Sequence, residues 1–215
     1  MNLETILRAA PVIPVVIIDD LRDAIPLARA LVAGGLPVIE ITLRTAVGLE
    51  ALRAISAEVP EAIVGAGTVL TAAQFEKTVA AGAKFAVSPG ATKTLLDAVA
   101  GAPVKLLPGI ATASEAMQLI ERDYEFAKLF PAEAVGGAPL LSSLASPLPQ
   151  LKFCPTGGIT LESAPRYLKL PNVICIGGSW MVNRKAIAEG AWAEITAAAA
   201  QAAALHIHRG SAAHG

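Results

Sequence analysis

Histidine is almost missing from this chain: only three occur, and His206, His208 and His214 all stand in the terminal stretch. With just two cysteines besides, no cluster shows metal-ligand spacing, so neither a bound metal nor another cofactor is expected. Cys154 and Cys175 sit in apolar, strand-like runs, which suits buried free thiols in a reducing compartment better than a disulfide framework. An excess of charge is missing too. Seventeen Lys and Arg against eighteen Asp and Glu leave a net charge of -1, which excludes the basic footprint of a nucleic-acid binder and points to a small-molecule partner. No apolar run approaches the ~20 residues that span a bilayer. The opening MNLETILRAA has neither the basic nor the apolar region of a secretion signal, so a cytoplasmic location away from membranes is expected.

What is present is apolar residues and rhythm. Of 215 residues 54% are hydrophobic, enough to bury one full core, and a single domain over residues 1–205 is expected, followed by a loose tail at 206–215 where Gly, Ser, Ala and His replace the helical pattern. Short β-branched runs recur at Ile13 to Ile18, Val38 to Leu43, Ala62 to Gly67, Phe85 to Ser88, Val104 to Leu107, Phe126 to Leu129, Lys152 to Cys154 and Val173 to Ile176. Each is followed by an Ala/Leu-rich stretch of helical character, the last running from Asn183 to Leu205. Thr71, Thr92, Thr112 and Thr160 are placed to cap helix starts. Eight βα pairs in about 200 residues predict an α/β fold, a closed (β/α)8 TIM barrel.

In such a fold the chemistry sits at the carboxyl ends of the strands. The run VIEITLR sets Glu40, Thr42 and Arg44 at alternate positions, so they share one side of a strand. Buried charges there are either paired with each other, as Glu40 with Arg44, or used on a ligand. GAGT leaves space and offers the Thr68 hydroxyl, for a substrate or for capping the next helix. EFAKLFPAE places Lys128 inside an apolar stretch with no obvious outlet to solvent. An amine taken out of water gives up its proton more readily, and the neutral amine attacks carbonyls. Lys128 could instead reach the rim or pair with a carboxylate. Lys84 and Lys105 begin their runs, which puts them at the opposite end of the strands. PTGGIT and IGGSW supply two glycine turns, whose amides at Gly157, Gly158, Gly178 and Ser179 can cradle a phosphate at the start of helical sequence.

VIEITLRT, PEAIVGAGTVL, FAVSPG, LLPGI, KLFPAEAVGG, FCPTGGIT and ICIGGSW together resemble the 2-dehydro-3-deoxy-phosphogluconate (KDPG) aldolases, in unbroken order from about Pro11 to Trp180. The resemblance implies a metal-free class I aldolase of the Entner–Doudoroff route. Such enzymes cleave a 2-keto acid phosphate, KDPG, to pyruvate and glyceraldehyde 3-phosphate, and many also cleave 4-hydroxy-2-oxoglutarate to pyruvate and glyoxylate. It implies a homotrimer. It makes Lys128 the Schiff-base lysine and Glu40 the acid/base, with Arg44 and Thr68 on the pyruvate carboxylate. Phe130 then walls the pocket, Thr156 contacts the substrate hydroxyls, and Gly157, Gly158 and Ser179 take the distal phosphate. Ala127 and Leu129 depart from the larger aromatics common in the family, but their parity points them away from Lys128. A phosphate-binding isomerase or binding protein without imine chemistry is the competing reading of the residues themselves.

Overall fold

Alternating β-branched and Ala/Leu-rich segments become alternating strands and helices in the computed structural model, which describes residues 1–205. The order is α1 (Leu3–Leu7), β1 (Val12–Val16), a 3-10 turn (Leu21–Asp23), α2 (Ala24–Ala33), β2 (Val38–Thr42), α3 (Gly48–Glu58), β3 (Ile63–Gly67), α4 (Ala72–Ala80), β4 (Phe85–Val87) and α5 (Lys93–Val99). It continues with β5 (Lys105–Leu107), β6 (Gly109–Ile110), α6 (Ala113–Ile120), β7 (Phe126–Leu129), α7 (Gly137–Leu144), β8 (Lys152–Phe153), α8 (Ala164–Leu168), β9 (Ile176–Gly178), α9 (Arg184–Ala188) and α10 (Trp192–Ala203). The tail expected at 206–215 lies outside the described residues. Within them, no helix is long and apolar enough to cross a membrane.

The closed eight-stranded barrel expected from the rhythm does not form. Hydrogen bonding makes a six-stranded sheet of order β5-β4-β3-β2-β1-β9 and a separate three-stranded sheet, β6-β7-β8, with every pair parallel. Proline falls at both seams. Pro108 separates β5 from β6 and Pro155 follows β8, and neither residue has an amide hydrogen to give the ladder. Beyond β8 only the isolated bridges Phe153↔Val173 and Thr156↔Gly177 remain. Two further expectations change. The last strand is Ile176–Gly178 rather than Val173 to Ile176, and the expected final helix divides into α9 and α10 at Gly190, which has a φ of +65°.

Strand parity separates two cores. Val12, Val16, Ile39, Ile41, Ala127 and Leu129 face outward into the larger core with the helices, as the parity of Ala127 and Leu129 predicts. Ile13, Val38, Phe85, Val87, Leu107 and Cys154 form a smaller inner core drawn from both sheets. Leu3, Ile6 and Leu7 of α1 join that inner core where the strands begin, so α1 closes the amino-terminal end. The sequence reading missed this helix. Its signals were apolar spacing of three and four, and Asn2, whose side chain accepts the Thr5 amide at 2.8 Å. Thr71 and Thr92 cap α4 and α5 as expected, and Thr112 forms a reciprocal capping box with Glu115. Thr160 instead organises the turn before α8, whose N-cap is Ser163. Ile6 tests the plug: Ile6→Ala should lower unfolding stability by about 2–4 kcal/mol through loss of buried contact and a residual cavity. Urea unfolding checks this, and a change below about 0.5 kcal/mol would show that α1 is not part of the core.

Candidate active site

The inner face changes character toward the carboxyl ends of the strands. Apolar side chains give way to Glu40 on β2 and Lys128 on β7, which come from different sheets and meet in the interior. The Lys128 ammonium donates to the two oxygens of the Glu40 carboxylate at 3.1 and 3.4 Å, and each side chain is only 4% exposed. Pairing answers the desolvation cost that either charge would carry alone. The Phe130 ring adds a second contact, with its centroid 5.4 Å from Nζ of Lys128.

Space for this pair comes from β3. Its sequence IVGAG puts Ile63 on the inner core and glycine at the next two inward positions, opposite Glu40 and Thr42 in the register. A Cβ on Gly65 would stand 2.4 Å from the Phe85 ring, and one on Gly67 would stand 2.2 Å from a Glu40 carboxylate oxygen. Any side chain at residue 67 would therefore move the carboxylate. Thr42 donates its hydroxyl to the Val16 carbonyl at 2.9 Å and stays structural.

Around this centre lie the rim residues. Arg44 is exposed just beyond β2 and donates from Nε to the Thr68 hydroxyl at 2.9 Å. Thr68 holds a left-handed φ of 62°, a costly bend for a β-branched residue, and this turns its hydroxyl to Arg44 rather than to a helix end. Neither a Glu40–Arg44 ion pair nor a Thr68 cap is observed: Glu40 takes Lys128, and Thr71 caps α4. Thr156 is buried beyond β8, its amide bonded to the Leu129 carbonyl at 2.9 Å. Its hydroxyl occupies the space that a Cβ on Gly177 would fill. The bridge between Thr156 and Gly177 sets the Gly157–Gly158 turn beside Gly178 and Ser179. The short helix α8 begins only at Ala164 and α9 at Arg184, so the helix starts expected directly behind these turns are displaced from them. What the turns themselves present is backbone amide, a group able to receive an anion.

The rival lysines are elsewhere. Lys84 and Lys105 are exposed at the starts of their strands. Lys105 borders a cavity of about 400 Å³ together with Leu3, Leu96, Leu106, Tyr124 and Phe126, at the end away from the Lys128–Glu40 pair.

This geometry agrees with the comparisons. Residues 3–198 match the family profile described as KDPG and KHG aldolase. The chain belongs to that family. The KHG/KDPG aldolase of Escherichia coli is 49% identical over 199 residues, covering 93% of each chain. A solved KDPG aldolase from Legionella pneumophila, with pyruvate captured as a covalent carbinolamine intermediate, has a TM-score of 0.93 and 46% identity over 94% of this chain and 98% of its own. The KDPG aldolase of Zymomonas mobilis with 3-phosphoglycerate has a TM-score of 0.90 and 46% identity over 96% of this chain and 97% of its own.

Two features of this aldolase escaped the sequence reading. The sequence shows that GAGT leaves space and that IGGSW turns, but only the packing shows that Gly67 makes room for Glu40 and Gly177 for Thr156. Glu133 also went unnoticed. It accepts from Arg166 and Tyr167, contacts no local pattern announces. Gly67→Ala should lower aldol turnover on the order of a hundredfold by pushing the Glu40 carboxylate off Lys128, since reacting groups tolerate little misplacement. Steady-state kinetics checks this beside circular dichroism. Turnover within about twofold of wild type would show that Gly67 does not hold the carboxylate in place.

Proposed function

We propose that this protein is a class I aldolase that cleaves KDPG to pyruvate and glyceraldehyde 3-phosphate through an imine on Lys128. The observation that carries the proposal is the buried Lys128–Glu40 pair at the carboxyl ends of the strands. Neutral Nζ of Lys128 attacks the C2 ketone to give a carbinolamine, and loss of water yields an iminium. A base takes the C4 hydroxyl proton. The C3–C4 bond then breaks, its electrons pass to the iminium nitrogen, and glyceraldehyde 3-phosphate departs. The enamine left behind is protonated at C3, and water releases pyruvate and the free amine.

Glu40 is the acid and base, acting directly or through one water. Charge bookkeeping supports it. The iminium keeps the positive charge where the ammonium stood, so the carboxylate stays partnered. When the enamine nitrogen is neutral, a proton on Glu40 neutralises the carboxylate as well, and the site avoids an isolated buried charge. A binding protein or isomerase would have no use for so dry an amine, and nothing in the site favours that reading.

Arg44 and Thr68, joined to each other at the rim, hold the pyruvate carboxylate. Phe130 walls the pocket and Thr156 meets the substrate hydroxyls. Gly157, Gly158, Gly178 and Ser179 take the distal phosphate, supported by their adjacency across the Thr156 bridge. The 4-hydroxy-2-oxoglutarate activity, the single domain at 1–205, the homotrimer and the cytoplasmic location all belong to the same proposal. They are supported by family membership.

Lys128→Ala should abolish cleavage, because no other group can form the electron sink. It should also cost about 3 kcal/mol of stability, since Glu40 is left buried without its cation. Near-normal turnover in a stopped assay would overturn the imine mechanism. Ser179→Asp sets a negative charge beside the phosphate turn and should cost the phosphorylated substrate about 2 kcal/mol in kcat/KM while sparing the unphosphorylated one. An unchanged ratio of the two specificity constants would remove the phosphate from this place.

A further inference from the structure

The Gly157–Gly158 turn rests on groups that the reaction does not use. The Glu133 amide donates to the Gly157 carbonyl at 3.1 Å, and the Ala132 amide donates to the Thr156 carbonyl at 2.8 Å. A Cβ on Gly158 would stand 2.8 Å from Cγ of Glu133, so the side chain lies directly against the turn. Its carboxylate is held from the other side. Arg166 of α8 donates to both of its oxygens, and the buried Tyr167 hydroxyl donates to one of them. Arg166 keeps the Glu133 carboxyl below its ordinary range, with Tyr167 second, and burial ahead of the Glu133 bond pushes the Tyr167 phenol up to about 12.

These contacts grip the loop at both ends. Glu133 leaves the Lys128 strand through Phe130 and Pro131, binds the backbone where the loop begins, and reaches α8 where the loop finishes. Between those points Gly157 and Gly158 hold φ values of +107° and +78°. Such left-handed glycines are free to take other conformations unless something restrains them. An ion pair with Arg166, whose side chain is 49% exposed, contributes little to global stability. Restraint of the turn is what it can supply.

We propose that Glu133 is a positioning residue for substrate specificity: clamped by Arg166 and Tyr167, it holds the Gly157–Gly158 amides in the arrangement that receives the distal phosphate. This rests on the reading of that turn as a phosphate site. Its consequence is selective. Glu133 touches no part of the pyruvate end, so an unphosphorylated 4-hydroxy-2-keto acid should be indifferent to it, while the phosphorylated substrate depends on the turn's shape.

The test compares Glu133→Ala, Glu133→Gln and Arg166→Met with wild type, on KDPG and on 4-hydroxy-2-oxoglutarate, with Ser179→Asp as a check on the phosphate site. Glu133→Ala and Arg166→Met should each raise the KM for KDPG about tenfold, weaken inhibition by inorganic phosphate to match, and leave kcat/KM for 4-hydroxy-2-oxoglutarate within about twofold. Glu133→Gln, which keeps an acceptor for Tyr167, should recover part of the loss. Equal losses on both substrates would overturn the proposal in favour of a merely structural role. An unchanged KDPG KM, with Ser179→Asp still shifting the substrate ratio, would overturn the clamp and leave the phosphate site standing. If Ser179→Asp shifts nothing either, the phosphate reading falls, and the clamp falls with it.

Discussion

An ammonium and a carboxylate facing each other in a nearly water-free interior constrain much of this molecule. Neither Lys128 nor Glu40 could stay charged there alone at tolerable cost, so the two strands that carry them must present them to one point from different sheets. Glycine on β3 supplies the room, because a methyl group at Gly67 would occupy the carboxylate's place. The inner core of Ile13, Val38, Phe85 and Leu107, closed by α1, fills the space below and keeps the pair from opening toward the amino-terminal end. Among the described residues the pair therefore faces the carboxyl ends of the strands.

Burial falls outward from that pair, and the chemistry follows the gradient. At the dry centre sits the amine that, in the proposed mechanism, attacks the ketone. One step out, Thr68 and Arg44 form a bonded pair at half-buried and exposed positions, suited to a carboxylate that arrives from water. Farther along the rim, Gly158 and Ser179 are exposed, which suits a phosphate that keeps part of its hydration. Binding far from the broken bond can then be used to place that bond over Lys128.

Much of this was legible in one dimension. Parity put Glu40 inside and Ala127 and Leu129 outside, an apolar run buried Lys128, and the packing agrees. The position of each lysine within its run separated Lys128 from Lys84 and Lys105. What parity cannot show is which strands pair and which inward residues meet. Glu40 was as free on paper to bond Arg44 as Lys128, because spacing along one strand says nothing of the opposite sheet. The closed ring failed for a related reason: counting strands ignores whether Pro108 and Pro155 leave donors for the ladder. Glu133 lies more than thirty residues before Arg166 and Tyr167 in the chain, and only the fold joins them.

The central claim is covalent, and its most direct measurement is reductive trapping. The full-length protein is treated with borohydride in the presence and absence of pyruvate, and its peptides are weighed. Imine chemistry at Lys128 predicts a single irreversible gain of about 72 Da, pyruvate less water plus two hydrogens, on the peptide containing Lys128, with loss of activity in proportion. No adduct, or one carried by Lys84 or Lys105 instead, would contradict the account.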